Sequence, residues 1–349
     1  MVYTDVPGSE VGAPDSAVVR TEICGICGSD LHIYHGHGLN TTPGYVVGHE
    51  AVGVVTETGP EVRNFRPGDR VIISASTGCG RCSYCQRGYS MHCTDGVTGG
   101  YGRGGSHGRH GASWGKGMAL PGLQAEYVAV PGADSNLVKL PDNVSFEAAI
   151  VLTDSAPTAW LAARHARIVP GNSVAVIGLG PIGQMAVMAA EAMGAGHIVA
   201  ADTHEYRRKS AERFGAETAT KDEIEALLDE RTHGLGADVV IDTVGSESAL
   251  AQAMQLAATG GRVAAVGVNK EGRFDFPYRM AMHKGLEFFV GLTSVQRELQ
   301  ELLPLAEANR IHPEWIITHH MGLSAGADAY AMIEGRVDGV LKIALDPVS

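Results

Sequence analysis

A chain of 349 residues that is 44% hydrophobic can bury a sizeable core, and its length suggests two domains. Its 27 Lys and Arg against 39 Asp and Glu leave a net charge of −12, which excludes the basic field a nucleic-acid binder needs. No apolar run approaches the ~20 residues of a bilayer span, and Met1-Val2-Tyr3-Thr4-Asp5 offers neither a basic n-region nor an apolar stretch, so a cytoplasmic protein is expected.

The first 150 residues read as short strands and loops. Cys24-Gly25-Ile26-Cys27-Gly28-Ser29-Asp30-Leu31-His32 follows a strand. Cys24 and Cys27 could form a redox pair or half of a metal site; alternatively Cys24 is simply a small buried residue. Val46–Val55 is a β-branched run enclosing Gly48-His49-Glu50, and Arg70–Ile73 is another, preceded by Pro67-Gly68. Next come Cys79, Cys82, Cys85 and Cys93, four cysteines within fifteen residues. A complete four-thiolate set suits tetrahedral Zn²⁺ and leaves no open position, so a structural zinc lobe is expected over 78–95. Disulfides are the alternative, but they belong to small secreted domains. Residues 96–117 hold ten glycines with His107, Arg109, His110, Trp114 and Lys116. They form either a plain surface loop or one that overhangs a pocket or an oligomer contact. Gln124–Val130 closes this mostly antiparallel β region.

From about residue 172 strands alternate with helices. Val174–Ile177, Ile198–Ala201, Val239–Asp242, Val263–Val266 and Phe288–Val290 are the strand candidates, and the repeat implies a parallel sheet with right-handed crossovers. Val295–Asn309 reads as an amphipathic helix containing Pro304, and the tail through Val340–Leu345 is expected to return to the first domain. Within the parallel region Gly178-Leu179-Gly180-Pro181-Ile182-Gly183 leaves a strand and opens a helix. Gly178 permits the tight turn, Gly180 lets the backbone approach a pyrophosphate, and Gly183 lets helix pack on strand, with the helix N-terminus facing the phosphates. Asp202, nineteen residues past Gly183, is placed to accept a ribose hydroxyl and to repel a 2′-phosphate, which predicts NAD over NADP. Arg207 and Arg208 could swing toward a phosphate, though a solvated helix face is the reading favoured for them.

Taken together, C-G-S-D-L-H, G-H-E, P-G-D-R, the four-cysteine lobe, G-L-G-P-I-G and the closing V-D-G-V-L-K resemble the zinc-dependent alcohol dehydrogenases of the medium-chain dehydrogenase/reductase superfamily, over nearly the whole chain. The resemblance implies an α/β fold. A mostly-β GroES-like catalytic domain would span 1–154 and 296–349, and a doubly wound Rossmann domain 155–295. It implies a catalytic zinc held by Cys27 and His49, in addition to the structural one. The third ligand in many members is a cysteine, which this chain lacks there; Thr153-Asp154-Ser155 is similar to the subgroup with an aspartate, so Asp154 is expected. Asp154 could instead be a helix N-cap. Glu50 is expected in or near the ligand set, and Asp30 is expected to orient His49.

The implied activity is reversible hydride transfer between a primary or secondary alcohol and NAD, with Ser29 passing the substrate proton toward His32. Thr158, Ile182 and the Val266-Gly267-Val268 strand end would pack near the nicotinamide, and Val244 would also belong to the cofactor site. Relatives associate through exposed sheet edges, so a homo-oligomer is expected, a tetramer rather than a dimer. By the resemblance, the first hairpin of the family is expected to be trimmed here and 96–117 to have no counterpart, so the substrate stays open. A glutathione-independent formaldehyde dehydrogenase or dismutase, a polyol dehydrogenase and a non-catalytic zinc- and nucleotide-binding redox sensor are the alternatives. His35, His37, His107 and His110 could be metal ligands by count but are read as solvated, and His319-His320 is left unassigned.

Overall fold

The structure, a computed structural model, describes residues 1–35, 44–94, 120–268 and 273–349. The glycine-rich segment 96–117 and His37 lie outside the described residues. The chain divides into two units, Met1–Pro157 with Thr293–Ser349, and Thr158–Leu292. Against the boundaries expected at 154/155 and 295/296, the first division comes three residues later and the second three earlier.

In chain order the first unit begins with β1 (Ala17–Gly25), β2 (Ala51–Thr58), β3 (Arg70–Ile73), β4 (Tyr127–Val130) and β5 (Leu137–Lys139). The second unit supplies β6 (Ser173–Ile177), β7 (His197–Ala201), β8 (Glu217–Ala219), β9 (Ala237–Asp242), β10 (Ala257–Ala265) and β11 (Glu287–Val290). The chain then returns to the first unit with β12 (Ile317–Gly322) and β13 (Lys342–Asp346).

The first unit is built on a seven-stranded sheet in the order β12-β13-β1-β2-β3-β5, with β4 also paired to β1. All its pairings are antiparallel except β12 with β13. Alternating apolar residues such as Val19, Val55, Val71, Ile73, Val128, Ile343 and Leu345 close its core. Each such side chain contributes about 1.5–3 kcal/mol by leaving water. The run Val46–Val55 does not form one strand. Gly48 takes a φ of +87°, outside the β region, so β2 starts only at Ala51 and Gly48-His49-Glu50 forms the bend before it.

The second unit is a six-stranded, all-parallel sheet in the order β8-β7-β6-β9-β10-β11. Chain order thus runs outward from β6 in one direction and from β9 in the other. The strand order of a doubly wound sheet places its ligand crevice beyond the carboxyl ends of these two central strands. Val174–Val176 are fully buried, as a parallel strand covered on both faces requires. The C-terminal helix expected over 295–309 forms as Val295–Glu307, with Pro304 inside it.

Candidate functional site

Three strand ends of the first unit converge. β1 pairs antiparallel with both β2 and β13, so the segment leaving β1 lies beside the bend that enters β2. Gly25 N–H donates to the Glu50 carbonyl at 3.0 Å and ties the two segments together. That register brings Cys27 next to His49, and Asp154 joins them from the residue before the helix Ser155–His165. One ligand atom from each lies within 4.8 Å of the others. Cys27 Sγ is 3.4 Å from Asp154 Oδ2, and His49 Nε2 is 3.6 Å from the same oxygen. Tetrahedral zinc with bonds of about 2.0–2.3 Å needs ligand–ligand edges of roughly 3.3–3.5 Å, so the three donors fit such an ion and leave a fourth position open.

His49 is 4% exposed and Asp30 1%. Asp30 Oδ1 lies 3.0 Å from His49 Nδ1, and its Oδ2 accepts the Cys27 N–H at 2.9 Å. The Nδ1 contact is off the line of an ideal N–H bond, and neither atom has another hydrogen-bond partner, so it acts chiefly as a charge contact. It turns Nε2 toward the cluster, as a ligating imidazole requires. Burial alone would lower the His49 pKa, but Asp30, Asp154 and Cys27 together push it well above the ordinary value. Burial and then the Asp154 charge raise the Cys27 thiol. Burial opposes the Asp154 carboxylate, yet its bond to His49 and the charges of His49 and Lys342 hold it at about 2.

Ser29 occupies the N-cap of the short helix Asp30–Tyr34 but makes no capping bond. Its Oγ points at the cluster instead, 3.4 Å from Cys27 Sγ and 3.4 Å from His49 Nε2. His32 lies on the same helix. Glu50 departs from expectation. It is absent from the ligand group, and its carboxylate is engaged by Lys342 Nζ, at 2.6 Å from Oε1 and in contact with Oε2. Burial works against the Lys342 ammonium, but the charge and hydrogen bond of Glu50 together with the charges of Cys27 and Asp154 raise its pKa.

Cys79, Cys82, Cys85 and Cys93 form a second cluster with sulfurs within 4.8 Å of one another. Backbone N–H groups of Cys79, Cys82 and Cys85 donate to Cys93, Cys79 and Cys82 sulfurs at 3.3–3.5 Å. Burial opposes the Cys82 thiolate, but N–H bonds from Cys85 and Thr94 bring its pKa down to about 6. Four thiolates supported by N–H donors fit a closed zinc site. Gln296 anchors this lobe: its Oε1 accepts from Ser90 Oγ at 2.6 Å, and its Nε2 donates to the Ser76 carbonyl at 2.7 Å.

In the second unit the Gly178–Gly183 turn leaves β6 and opens the helix Pro181–Ala192. Gly178 has a φ of +86°, and a Cβ on Gly183 would sit 1.9 Å from the Gly178 carbonyl oxygen. A Cβ on Gly180 would meet nothing within 4 Å, so the backbone there is open to a bulky anion. Val244 follows β9, on the other side of the switch point, and Gly267 packs against Gly245. Val244 and Val268 are half exposed, while Thr158 is buried.

The alcohol dehydrogenase GroES-like domain family matches residues 13–142, and the zinc-binding dehydrogenase family matches residues 181–308. A probable zinc-binding alcohol dehydrogenase of Mycobacterium tuberculosis is 36% identical over 343 residues, covering 98% of this chain and 85% of that protein. The chain belongs to the zinc-dependent alcohol dehydrogenases of the medium-chain dehydrogenase/reductase superfamily. An NADP-dependent isopropanol dehydrogenase of Thermoanaerobacter brockii is 34% identical over 316 residues, covering 88% of this chain and 85% of that one. The solved alcohol dehydrogenase TADH from Thermus sp. ATN1 superposes with a TM-score of 0.90 at 34% identity, covering 99% of this chain and 96% of that chain. The fold is therefore GroES-like plus Rossmann, and the protein is an oxidoreductase that uses zinc and a nicotinamide cofactor.

The surroundings of Asp202, and the parts played by Gln184, Gln124 and Tyr330, carry no signal in the sequence. Asp202 accepts the Leu179 N–H and the His204 N–H, each at 2.8 Å, and Arg207 Nη1 stands 3.6 Å from it. Burial opposes ionisation, but these donors and the Arg207 charge keep its carboxyl below the usual range. Arg207 and Arg208 are not the solvated face expected of them. Arg208 donates to the Asp202 carbonyl at 2.8 Å, because the turn after β7 brings that oxygen within reach of the helix Glu205–Glu212. Gln184, fully buried, donates to the Leu179 and Arg207 carbonyls and so ties the glycine turn to that helix. Tyr330, also buried, donates to Gln124 Oε1 at 3.2 Å, and Gln124 donates to the Gly25 carbonyl at 3.0 Å behind the metal cluster. Among the described residues no helix is long and apolar enough to cross a membrane.

Proposed function

We propose that the protein is an NAD-dependent dehydrogenase of primary or secondary alcohols, with Cys27, His49 and Asp154 holding a catalytic zinc and the four-cysteine lobe a structural one. The convergence of one thiolate, one imidazole and one carboxylate within 4.8 Å carries this reading. Bound zinc supplies a Lewis acid with an open position, and bound NAD accepts the hydride. Asp30 fixes the His49 tautomer so that Nε2 serves as the ligand atom. Ser29 Oγ, beside both Cys27 and His49, accepts the proton of the substrate hydroxyl and hands it toward His32. Gly178, Gly180, Pro181, Ile182 and Gly183 cradle the pyrophosphate. Asp202 receives the adenine ribose, and its ionised carboxylate supports NAD over NADP. The working form is a cytoplasmic homo-oligomer, a tetramer in preference to a dimer.

The test is NADH production, followed by its absorbance, from a panel of primary, secondary and polyhydric alcohols, with and without a chelator. Turnover on simple alcohols that the chelator abolishes supports the reading. Turnover confined to polyols would redirect it to polyol oxidation, and none on any alcohol or aldehyde would favour a redox sensor.

A further inference from the structure

Lys342 is the first residue of β13 and is 1% exposed. A buried ammonium is costly unless every proton finds an acceptor. Here all three do. Nζ donates to the Ile26 carbonyl at 3.2 Å, to Glu50 Oε1 at 2.6 Å and to Glu50 Oε2. Ile26 immediately precedes Cys27, and Glu50 immediately follows His49. One cation from the last strand thus grips both ligand-bearing segments, one residue away from each ligand.

The geometry that delivers it is fixed by the sheet. β13 pairs with β1 through Cys24–Leu345 and Gly25–Ala344, and β1 pairs with β2 through Cys24–Ala51. The open end of β1 therefore lies between the entry to β2 and the start of β13, level with both. Space for the Glu50 carboxylate exists because residue 25 is glycine: a Cβ there would lie 2.2 Å from Glu50 Oε2. The cation, its carboxylate and the adjoining carbonyl form a closed, solvent-free unit, so the pair has no solvation role to explain its presence.

We infer that Lys342 is a positioning residue for the catalytic metal, its ammonium locking the Ile26–Cys27 and His49–Glu50 segments at ligand spacing. The inference rests on the proposed reading of Cys27, His49 and Asp154 as metal ligands. A pair that merely filled the core would stabilise the fold without favouring one metal over the other. A brace specific to the two ligand segments slows metal loss from that site alone.

The measurement is zinc transfer from the native holoenzyme to the chromogenic chelator 4-(2-pyridylazo)resorcinol. Zinc held at each of the two clusters would give two release phases. The phase that persists in Cys27→Ala belongs to the lobe. Lys342→Met strands the buried Glu50 carboxylate and risks unfolding. The double variant Glu50→Leu/Lys342→Met removes both charges and leaves an apolar pair of similar bulk. With a native circular-dichroism spectrum, it is expected to release the catalytic-site zinc about tenfold or more faster, the scale for groups that orient metal ligands, with the lobe phase unchanged. Glu50→Gln, which keeps the Ile26 contact, is expected to accelerate the same phase less. If both phases keep their wild-type rates, or both accelerate together, the positioning role is refuted. If the wild-type enzyme carries only the lobe zinc, the metal-site reading fails first and takes this inference with it.

Discussion

Asp242 closes β9 at zero exposure, and its carboxylate accepts the N–H groups of Val244 at 2.9 Å and Gly245 at 3.1 Å. Among the described residues no cation pairs with it, so burial dominates and its pKa rises from the ordinary 3.8 to about 6, despite those two N–H groups. A carboxyl raised in the folded state holds its proton there after the unfolded chain has lost its own. The stability this gives is fully present below about pH 4 and is lost as the pH climbs through 6. A rise of about two pH units amounts to about 3 kcal/mol, of which about half remains to be lost between pH 5 and 7.5. Asp242→Asn removes the titration while keeping one acceptor for Val244, and loses about 1 kcal/mol where its amide faces Gly245. The gap in stability between variant and wild type is therefore expected to widen in the variant's favour by about 1.5 kcal/mol from pH 5 to 7.5. That corresponds to roughly 3–6 °C in the unfolding midpoint. Melting both proteins side by side across that range isolates the group, because other titrations cancel in the difference. Parallel profiles, with a gap that stays constant, would refute the assignment of a proton to Asp242.

Gly183→Ala drives a methyl to 1.9 Å from the Gly178 carbonyl, so NADH binding, read by fluorescence titration, is expected to weaken at least about tenfold; affinity within twofold of wild type would contradict the packing. Cys27→Ala is expected to abolish turnover and one zinc while retaining the fold, whereas Cys82→Ser lowers the melting temperature by removing metal that contributes to folding. Equal destabilisation by the two would undo that division. Asp202→Asn removes the charge and keeps an acceptor for only one of the two backbone N–H groups, because Leu179 and His204 donate to different carboxylate oxygens. NADH binding is then expected to weaken about tenfold, as for loss of a hydrogen bond to a charged group, and NADPH binding to tighten. Unchanged NADH affinity would show that the ribose does not bond there.

The chemistry-bearing residues were legible because their signals are local. Four cysteines at short spacing, a glycine turn between strand and helix, and Ser29 three residues before His32 each declare themselves within a few residues. What stayed hidden depends on strand register. Lys342 stands 292 residues from Glu50, and nothing near either says that β13 runs beside β1. For that reason the expectation of Glu50 in or near the ligand set could not foresee its pairing with Lys342. Arg207 and Arg208 misread for a related cause: helical period separates buried from exposed faces but says nothing of a carbonyl presented by the preceding turn. Gly48 shows the same limit at the backbone, since β-branched neighbours argue for a strand that one positive φ interrupts.

The first unit is split in sequence, with β13 inserted next to β1 after the whole second unit has intervened. On the ribosome, residues 158–292 can complete their own sheet from contiguous chain as they emerge. The amino-terminal half cannot: its central strand waits for a neighbour made only after the whole second unit. A nascent chain therefore carries Cys27 and His49 for most of its synthesis without the strand that supplies Lys342. A chain cut before β13 would have an intact parallel sheet and an unfinished half around Cys27 and His49.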